Sequence, residues 1–341
     1  MHYKVVSIDL AKTIFQVCAI DQQQAIRFNK KVSRGKLLET VQQLSADLYV
    51  MEACYSSNPW ARAIEALGNA GKVKLIPPHQ VKPFLVGNKN DANDAVAIAE
   101  AALRPKARFV AVKTLQQQDL QSLSRIRESL VKHHTGVTNQ LRGLLSEYGI
   151  VVPRGTHTLK AEIPFILENA ANALTPSARH FIYDLYQDAN RLSERIAEVE
   201  RDTAAIVEHH GDYARLLSVR GIGPVTAVAL LASIQDAKQF KNGRAMAAWL
   251  GLTPKQRSSG NTLVMGAMSK RGNTHLRRLL IHGARTVMNW CANKTDKLSL
   301  WIKSLVARMH PCKAIVAVAN KIARIAWAVL AKQTPYSPDL V

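Results

Sequence analysis

Residues 3–20 read YKVVSIDLAKTIFQVCAI. Two runs rich in β-branched and apolar residues, 3–9 and 14–20, flank a short LAKT link, which predicts an antiparallel hairpin whose first strand ends at Asp9. Working outward, a third short strand is expected over 25–32. A helix follows over 35–46 with Leu37, Leu38, Val41 and Leu44 on one face, then an apolar strand over 48–51 that runs into Glu52. A helix over 57–67, a strand over 72–76, a Pro-Pro turn and a helix starting near Asp91 complete the series. A hairpin followed by strand–helix alternation predicts an α/β sheet domain over residues 1–110.

That order resembles a ribonuclease H-like (RuvC-like) sheet. The rest of the chain reads as all-α. From Leu115 to about Tyr148, Leu120, Leu123, Ile126, Leu130, Val137, Leu141 and Leu144 recur mostly at three and four. A second amphipathic run covers about 177–209, and the Gly- and Pro-bearing GIVVPRGTHT segment after the first run reads as a linker. Two such helices make either a coiled-coil arm over 111–210 or an ordinary helical bundle. Residues 211–341 are expected to be mainly helical.

Composition narrows the partner. The chain of 341 residues holds 46 Lys and Arg against 25 Asp and Glu, a net charge of +21. Such an excess favours a polyanion, nucleic acid first and an anionic membrane surface second. Forty-seven per cent apolar residues exclude general disorder, and 6% aromatics argue against a carbohydrate binder. The cysteines, Cys18, Cys54, Cys291 and Cys312, form no CxxC pair, so neither a zinc knuckle nor a disulfide framework is indicated and a reducing cytoplasm fits. The N-terminus is too polar for a signal peptide. The apolar stretch from Ala314 to Leu330 is broken by Lys321 and Arg324, so it reads as a packed helix and no membrane span is expected.

The charge is uneven. Residues 241–341 carry 17 Lys or Arg and two acids, Asp296 and Asp339, while the first 110 residues carry nine acids. Four of those nine stand at arranged positions: Asp9 and Glu52 end strands, and Asp91 and Asp94 lie three apart at a helix start, hence on one face. Strand ends and the following helix N-terminus meet at one sheet edge. Converging carboxylates repel unless cations intervene, and hard oxygen donors suit Mg²⁺. Two such ions about 4 Å apart can align phosphodiester cleavage. Singly, Asp91 and Asp94 also read as cap and dipole partners, and Asp9 as a turn residue.

Two further segments carry chemistry. LLSVRGIGPVTAVALLA over 216–232 has the form of a helix-hairpin-helix, in which Gly221 and Gly223 allow a tight turn and the next helix offers backbone N–H groups to a phosphate; a plain αα-turn accounts for it equally well. The run 251–280, GLTPKQRSSGNTLVMGAMSKRGNTHLRRLL, sets Ser258 and Ser259 in an expected loop near Lys255, Arg257, Lys270 and Arg271, with Arg277 and Arg278 just beyond. A serine becomes nucleophilic only when a base or metal activates it and cations stabilise the charge that develops on phosphorus.

SIDLAK (7–12), MEACYS (51–56), NKNDANDA (88–95), the 218–232 hairpin, GLTPKQRSSGN (251–261) and MSKRGNTHLRRLL (268–280) together resemble the DEDD-type insertion-sequence transposases, the bridge-RNA-guided recombinases, and most closely the subgroup guided by a seek RNA. The resemblance spans nearly the whole chain in order. It implies Asp9, Glu52, Asp91 and Asp94 as Mg²⁺ ligands and Ser259, the serine directly before Gly260, as a nucleophile that forms a 5′-phosphoserine link to DNA; Ser258 stands one residue away. It further implies a non-coding guide RNA, donor and target double-stranded DNA, a homo-oligomer (dimer or tetramer), a bacterial, nucleoid-associated setting, and acidic and serine domains that can come from different protomers. A RuvC-like junction resolvase or nuclease without a covalent step is the alternative, and an architectural nucleic-acid-binding protein a third.

Overall fold

The computed structural model describes residues 2–88, 90–260 and 262–337; Lys89, Asn261 and Asp339 lie outside the described residues. The chain divides into two compact units, residues 1–114 and 115–341.

In the N-terminal unit the hairpin forms as expected, with β1 over Tyr3–Asp9 and β2 over Ile14–Ile20. After it come β3 (Ile26–Ser33), α1 (Leu37–Gln43), β4 (Ala46–Glu52), α2 (Ser57–Ile64) and β5 (Val73–Ile76). The expected Pro-Pro turn continues into a short helix, α3 (Pro78–Val81), because Pro78 at its first position has φ already set and needs no N–H partner. The helix α4 (Asp91–Ala102) closes the unit. The sheet order is β3-β2-β1-β4-β5, antiparallel among β1, β2 and β3 and parallel from β1 through β4 to β5. This is compatible with a DEDD nuclease-like domain.

Alternation sorts the central strands between two layers. Val6, Ile8, Phe15, Val17, Tyr49 and Met51 pack with α1 and α2 on one face. Val5, Cys18, Val50 and Ile76 pack with α4 on the other. Each large side chain so buried contributes roughly 1.5–3 kcal/mol.

The C-terminal unit opens with α5 (Leu115–Glu147), α6 (Thr156–Glu168) and α7 (Pro176–Val207). Contacts between α5 and α7 run in opposite directions, Arg127 with Glu200 and His134 with Ser193, so the two long helices are antiparallel. The helix α6 occupies part of the stretch expected as linker. Its buried Leu159 and Ile163 join Leu141, Leu145, Ala178 and Ile182 in one core. A second core gathers α8 (Gly211–Leu217), α9 (Pro224–Ser233), α10 (Gly243–Trp249), α11 (Thr274–Asn289), α12 (Lys297–Arg308) and α13 (Pro311–Lys332). By length and composition alone α13 could cross a bilayer, yet its Ala314, Val318, Ala319, Ile322 and Ala326 are fully buried in that core.

The expected loop around Ser258 is instead a β-hairpin, β6 (Pro254–Ser259) and β7 (Thr262–Met268). Its polar, Ser- and Gly-rich composition masks a two-residue Gly-Asn turn signal, and Gly260 indeed takes φ +55°.

Candidate active site

Asp9 and Glu52 stand one step beyond the Ile8–Met51 pair of the parallel strands β1 and β4, at the same sheet edge. Val5 and Val50, two and four residues earlier at matching parity, face α4, so both carboxylates lie on the α4 side. The helix is pinned there. Ser7 Oγ, itself fully buried, donates to the Ala95 carbonyl at 2.6 Å, and Asn29 Nδ2 donates to the Ala92 carbonyl at 3.3 Å. The N-cap of α4 is Asn90, whose side chain accepts from the Asn93 N–H at 2.8 Å. Capping is therefore done by Asn90, not by Asp91 or Asp94, which remain in the first turn facing the strand ends.

The electrostatics show the four acids sharing one field. Burial, then the carboxylates of Asp94, Asp91 and Glu52, push Asp9 from 3.8 up to about 6, against a backbone hydrogen bond from Leu10. Burial and then Asp94 raise Glu52 as well. The nearest cation is at the rim: Lys31 Nζ lies 3.7 Å from Asp91, with both side chains exposed. Among the described residues, no three His, Cys, Asp or Glu side chains are gathered tightly enough to clasp a metal ion as they stand. The donor set still fits a hard divalent cation, because four oxygen donors on fixed elements repel one another and a cation would offset that repulsion.

The serine hairpin is built differently. Every residue of β6 is exposed, as is β7 up to Ala267. Cross-strand pairs join Arg257 to Val264, Ser258 to Leu263 and Ser259 to Thr262. Alternation along β6 puts Ser259, Arg257 and Lys255 on one face, and Ser258 with Gln256 on the other, where Gln256 Nε2 donates to Ser258 Oγ at 3.0 Å. Only Ser259 thus shares its face with the hairpin's two cations.

Below the strands the base is rigid. Gly251 and Gly272 have φ +71° and +80°, and a Cβ on them would stand 2.1 Å from the Arg271 carbonyl oxygen and 1.9 Å from that of Trp249. The two chain segments can cross this closely only as glycine. Ser269 N–H donates to the Thr253 carbonyl at 2.8 Å, and Lys270 N–H to that of Gly251 at 3.2 Å.

Two transposase family models match the sequence. One, the DEDD transposase domain of IS110 type, covers residues 6–150, and the other, described as "Transposase IS116/IS110/IS902 family", covers residues 213–299. The chain is 43% identical over 98% of its length, and 91% of the relative's, to the transposase for insertion sequence element IS1111A of Coxiella burnetii. It is 42% identical over 99% of its length, and all of the relative's, to a probable family 20 transposase of Pseudomonas aeruginosa. With the transposase for insertion sequence element IS1328 of Yersinia enterocolitica it shares 35% identity over 98% of its length and 98% of the relative's. The chain belongs to the IS110/IS116 family of insertion-sequence transposases.

The first matched segment of this transposase contains all four acids, and the second contains Gly221, Gly223, Ser259 and all six basic residues singled out from the sequence. Their placements differ. Lys255, Arg257, Lys270 and Arg271 are exposed. Arg278 is half exposed and ion-paired to Glu128 of α5, which also accepts from His275 Nδ1 at 2.9 Å. Arg277, expected to face a phosphate, is only 6% exposed. It donates to the Leu250 and Arg271 carbonyls at 3.1 and 3.0 Å and to Thr274 Oγ1 at 3.1 Å, so it clamps the base of the serine hairpin rather than a ligand. Its isolation between two leucine-bearing turns of an amphipathic helix was the available signal: Leu276, Arg277 and Leu280 share the buried stripe of α11.

In the helix-hairpin-helix of the transposase, Gly221 takes φ +87° between α8 and α9. Gly223 is the exposed N-cap of α9, with no side-chain cap and Pro224 following. Arg220, between them and the helix before, is held by Asp296 at 2.8 Å and by Ser299 Oγ at 3.1 Å.

Proposed function

We propose that this transposase cuts and rejoins DNA with Ser259 as nucleophile and with Asp9, Glu52, Asp91 and Asp94 as Mg²⁺ ligands. The observation that carries the reading is the β6 alternation, which sets Ser259 beside Arg257 and Lys255 and turns Ser258 away. In the step proposed, the Ser259 hydroxyl attacks a DNA phosphorus. The Oγ–P bond forms as the P–O3′ bond breaks, the serine proton passes to a base, and the departing 3′ oxygen takes up a proton. A 5′-phosphoserine and a free 3′-OH result. Attack by the 3′-OH of another strand then reverses the chemistry and releases the serine. Arg257 and Lys255 stabilise the charge on the phosphoryl oxygens as it develops. Bound Mg²⁺ supplies Lewis-acid stabilisation of phosphoryl oxygens.

The partners follow from the same reading. Donor and target duplexes are the substrates, and a structured guide RNA selects them by base pairing, so that the protein need only hold backbones. The exposed cations of the hairpin and the capless N-terminus of α9 support backbone recognition of this kind. The assembly is a homo-oligomer acting at the bacterial nucleoid.

The test is a denaturing gel of wild-type transposase incubated with Mg²⁺, copurified RNA and labelled donor DNA. A protein–DNA adduct is expected, absent in Ser259→Ala and in Asp91→Asn. Cleavage by Ser259→Ala without any adduct would instead assign the attack to water.

A further inference from the structure

The C-terminal unit holds a cavity of about 470 Å³ that neither the acids nor the serine hairpin uses, set between the start of α10, the second half of α13 and residues 334–337. Arg244, Lys321, Arg324 and Lys332 line it, and no described lining residue is acidic. None of these four side chains takes part in an ion pair among the described residues, whereas Arg127, Arg215, Arg220 and Arg278 of the same unit are all paired. Lys321 is half-buried, and burial and then Arg324 lower its pKa, so the crowding of like charges already costs energy that a bound anion would offset. Two rings complete the wall. The Trp327 indole N–H donates to the Ala237 carbonyl at 3.0 Å, and the Tyr336 backbone N–H donates to Ser218 Oγ at 2.8 Å, so both are anchored in place. All but Arg244 of these six residues lie beyond residue 299, outside both matched family segments.

We infer that this cavity takes one unpaired nucleotide of a nucleic-acid strand, its phosphate against Arg244, Arg324 and Lys332 and its base against the Trp327 wall. Pockets for compact ligands measure about 300–1,000 Å³, so one nucleotide fits and a base pair within a duplex does not enter. Cations beside an aromatic wall are the usual recipe for single-strand binding, in which the backbone meets charge and the base meets a ring. The choice of nucleic acid over another anion rests on the transposase reading; the charge, the size and the rings do not.

The experiment compares full-length wild-type protein with the Arg324→Gln/Lys332→Gln double variant, both positions being exposed. Anisotropy titrations use a fluorescent 12-nucleotide single-stranded RNA, the DNA of the same sequence, and its duplex, across a salt series. The double variant should bind a single strand about tenfold more weakly, with a log–log salt slope shallower by about 1.4 for two lost phosphate contacts, and bind duplex within about twofold of wild type. A loss confined to RNA assigns the pocket to RNA, and one confined to DNA assigns it to an unpaired DNA strand; either supports the inference. Photocrosslinking with 5-iodouracil in the strand should label Trp327 or Tyr336. Unchanged affinity and slope in both single-strand arms would overturn the inference, as would crosslinks found only elsewhere. If the double variant melts below wild type, Arg244→Gln on α10 repeats the measurement. A wild-type Ser259 adduct alongside unchanged single-strand binding sinks the pocket and leaves the proposed chemistry standing.

Discussion

The acidic edge and the serine hairpin are opposite solutions to holding reactive groups. Asp9 and Glu52 end strands whose preceding residues are fully buried, and α4 is tied down on them through Ser7. Positions there are set by the core, and the price is electrostatic: Asp9 sits at about 6 instead of 3.8. Ser259 stands on two strands that bury nothing, above a base locked by Gly251, Gly272 and Arg277. Its environment is set by a turn and by alternation. The comparison teaches that the metal ligands are preorganised by the fold, whereas the nucleophile is presented from a stiff base on an exposed ribbon of the width that enters a major groove.

The strongest way to break that comparison is the serine pair. Ser259→Ala should lower adduct formation by more than about a thousandfold, and Ser258→Ala by less than about threefold, measured on denaturing gels. Equal losses would mean that the two faces of β6 are not distinct in the working complex. Next in size is the base. Gly272→Ala drives a Cβ into the Trp249 carbonyl at φ +80°, and should cost the C-terminal unit about 3 kcal/mol in denaturant unfolding. Arg277→Ala leaves the Leu250 and Arg271 carbonyls without this donor and should cost about 2–3 kcal/mol, whereas Arg278→Ala, at a half-exposed ion pair, should cost less than about 1. A reversal of that order would return Arg277 to the ligand side.

The sequence was most legible where burial dictates periodicity. The strands β1, β2, β4 and β5 and the helix α4 were readable because each is apolar at fixed spacing, and the sheet edge followed from strand ends carrying Asp9 and Glu52. The hairpin β6–β7 was not readable, because strands exposed on both faces need no apolar alternation; PKQRSS has none. The helix α6 hid behind Pro164 and the Gly155 that starts it. Arg277 and Arg278 look alike in the string RR, and only the rotation of α11 by one residue, about 100°, buries the first and exposes the second. Asn90 as the cap of α4 was within reach, since Asn before the first turn is a cap signal, and it removes the capping explanation for Asp91 and Asp94.

The acidic edge can be tested through its strain. Because Asp9 is raised from 3.8 to about 6, the folded unit takes up a proton that the unfolded chain does not in that interval, so stability falls as pH rises from about 4 to about 6 and stays low above it. Asp9→Asn removes the charge. After discounting for partial exposure, it should stabilise the metal-free N-terminal unit by roughly 1–2 kcal/mol at pH 7 and by nothing below pH ~4, while abolishing cleavage. Added Mg²⁺ should raise the melting temperature of wild type and not of this variant. A destabilised Asp9→Asn at pH 7 would show that its carboxylate is a structural partner.

Asp296 supplies the opposite case and the smallest effect. Burial pulls its carboxyl up, but the Ser299 hydroxyl and N–H and the Arg220 guanidinium outweigh that and hold it from 3.8 down to about 2. The folded state therefore holds the proton less tightly than the unfolded one. Its contribution is full above about 4 and lost as pH falls through about 2. Asp296→Asn keeps a side-chain oxygen for the N-cap of α12 and removes only the charge facing Arg220, so it should cost about 1 kcal/mol at pH 7, with the gap to wild type closing near pH 2. Urea unfolding at both pH values measures it. The signs separate the two roles: an acid whose charge is stabilised by its surroundings is spent on the fold, and one whose charge is penalised beside three other carboxylates is held for a cation. Should Asp296→Asn stabilise the protein as Asp9→Asn is expected to, that criterion fails for this chain.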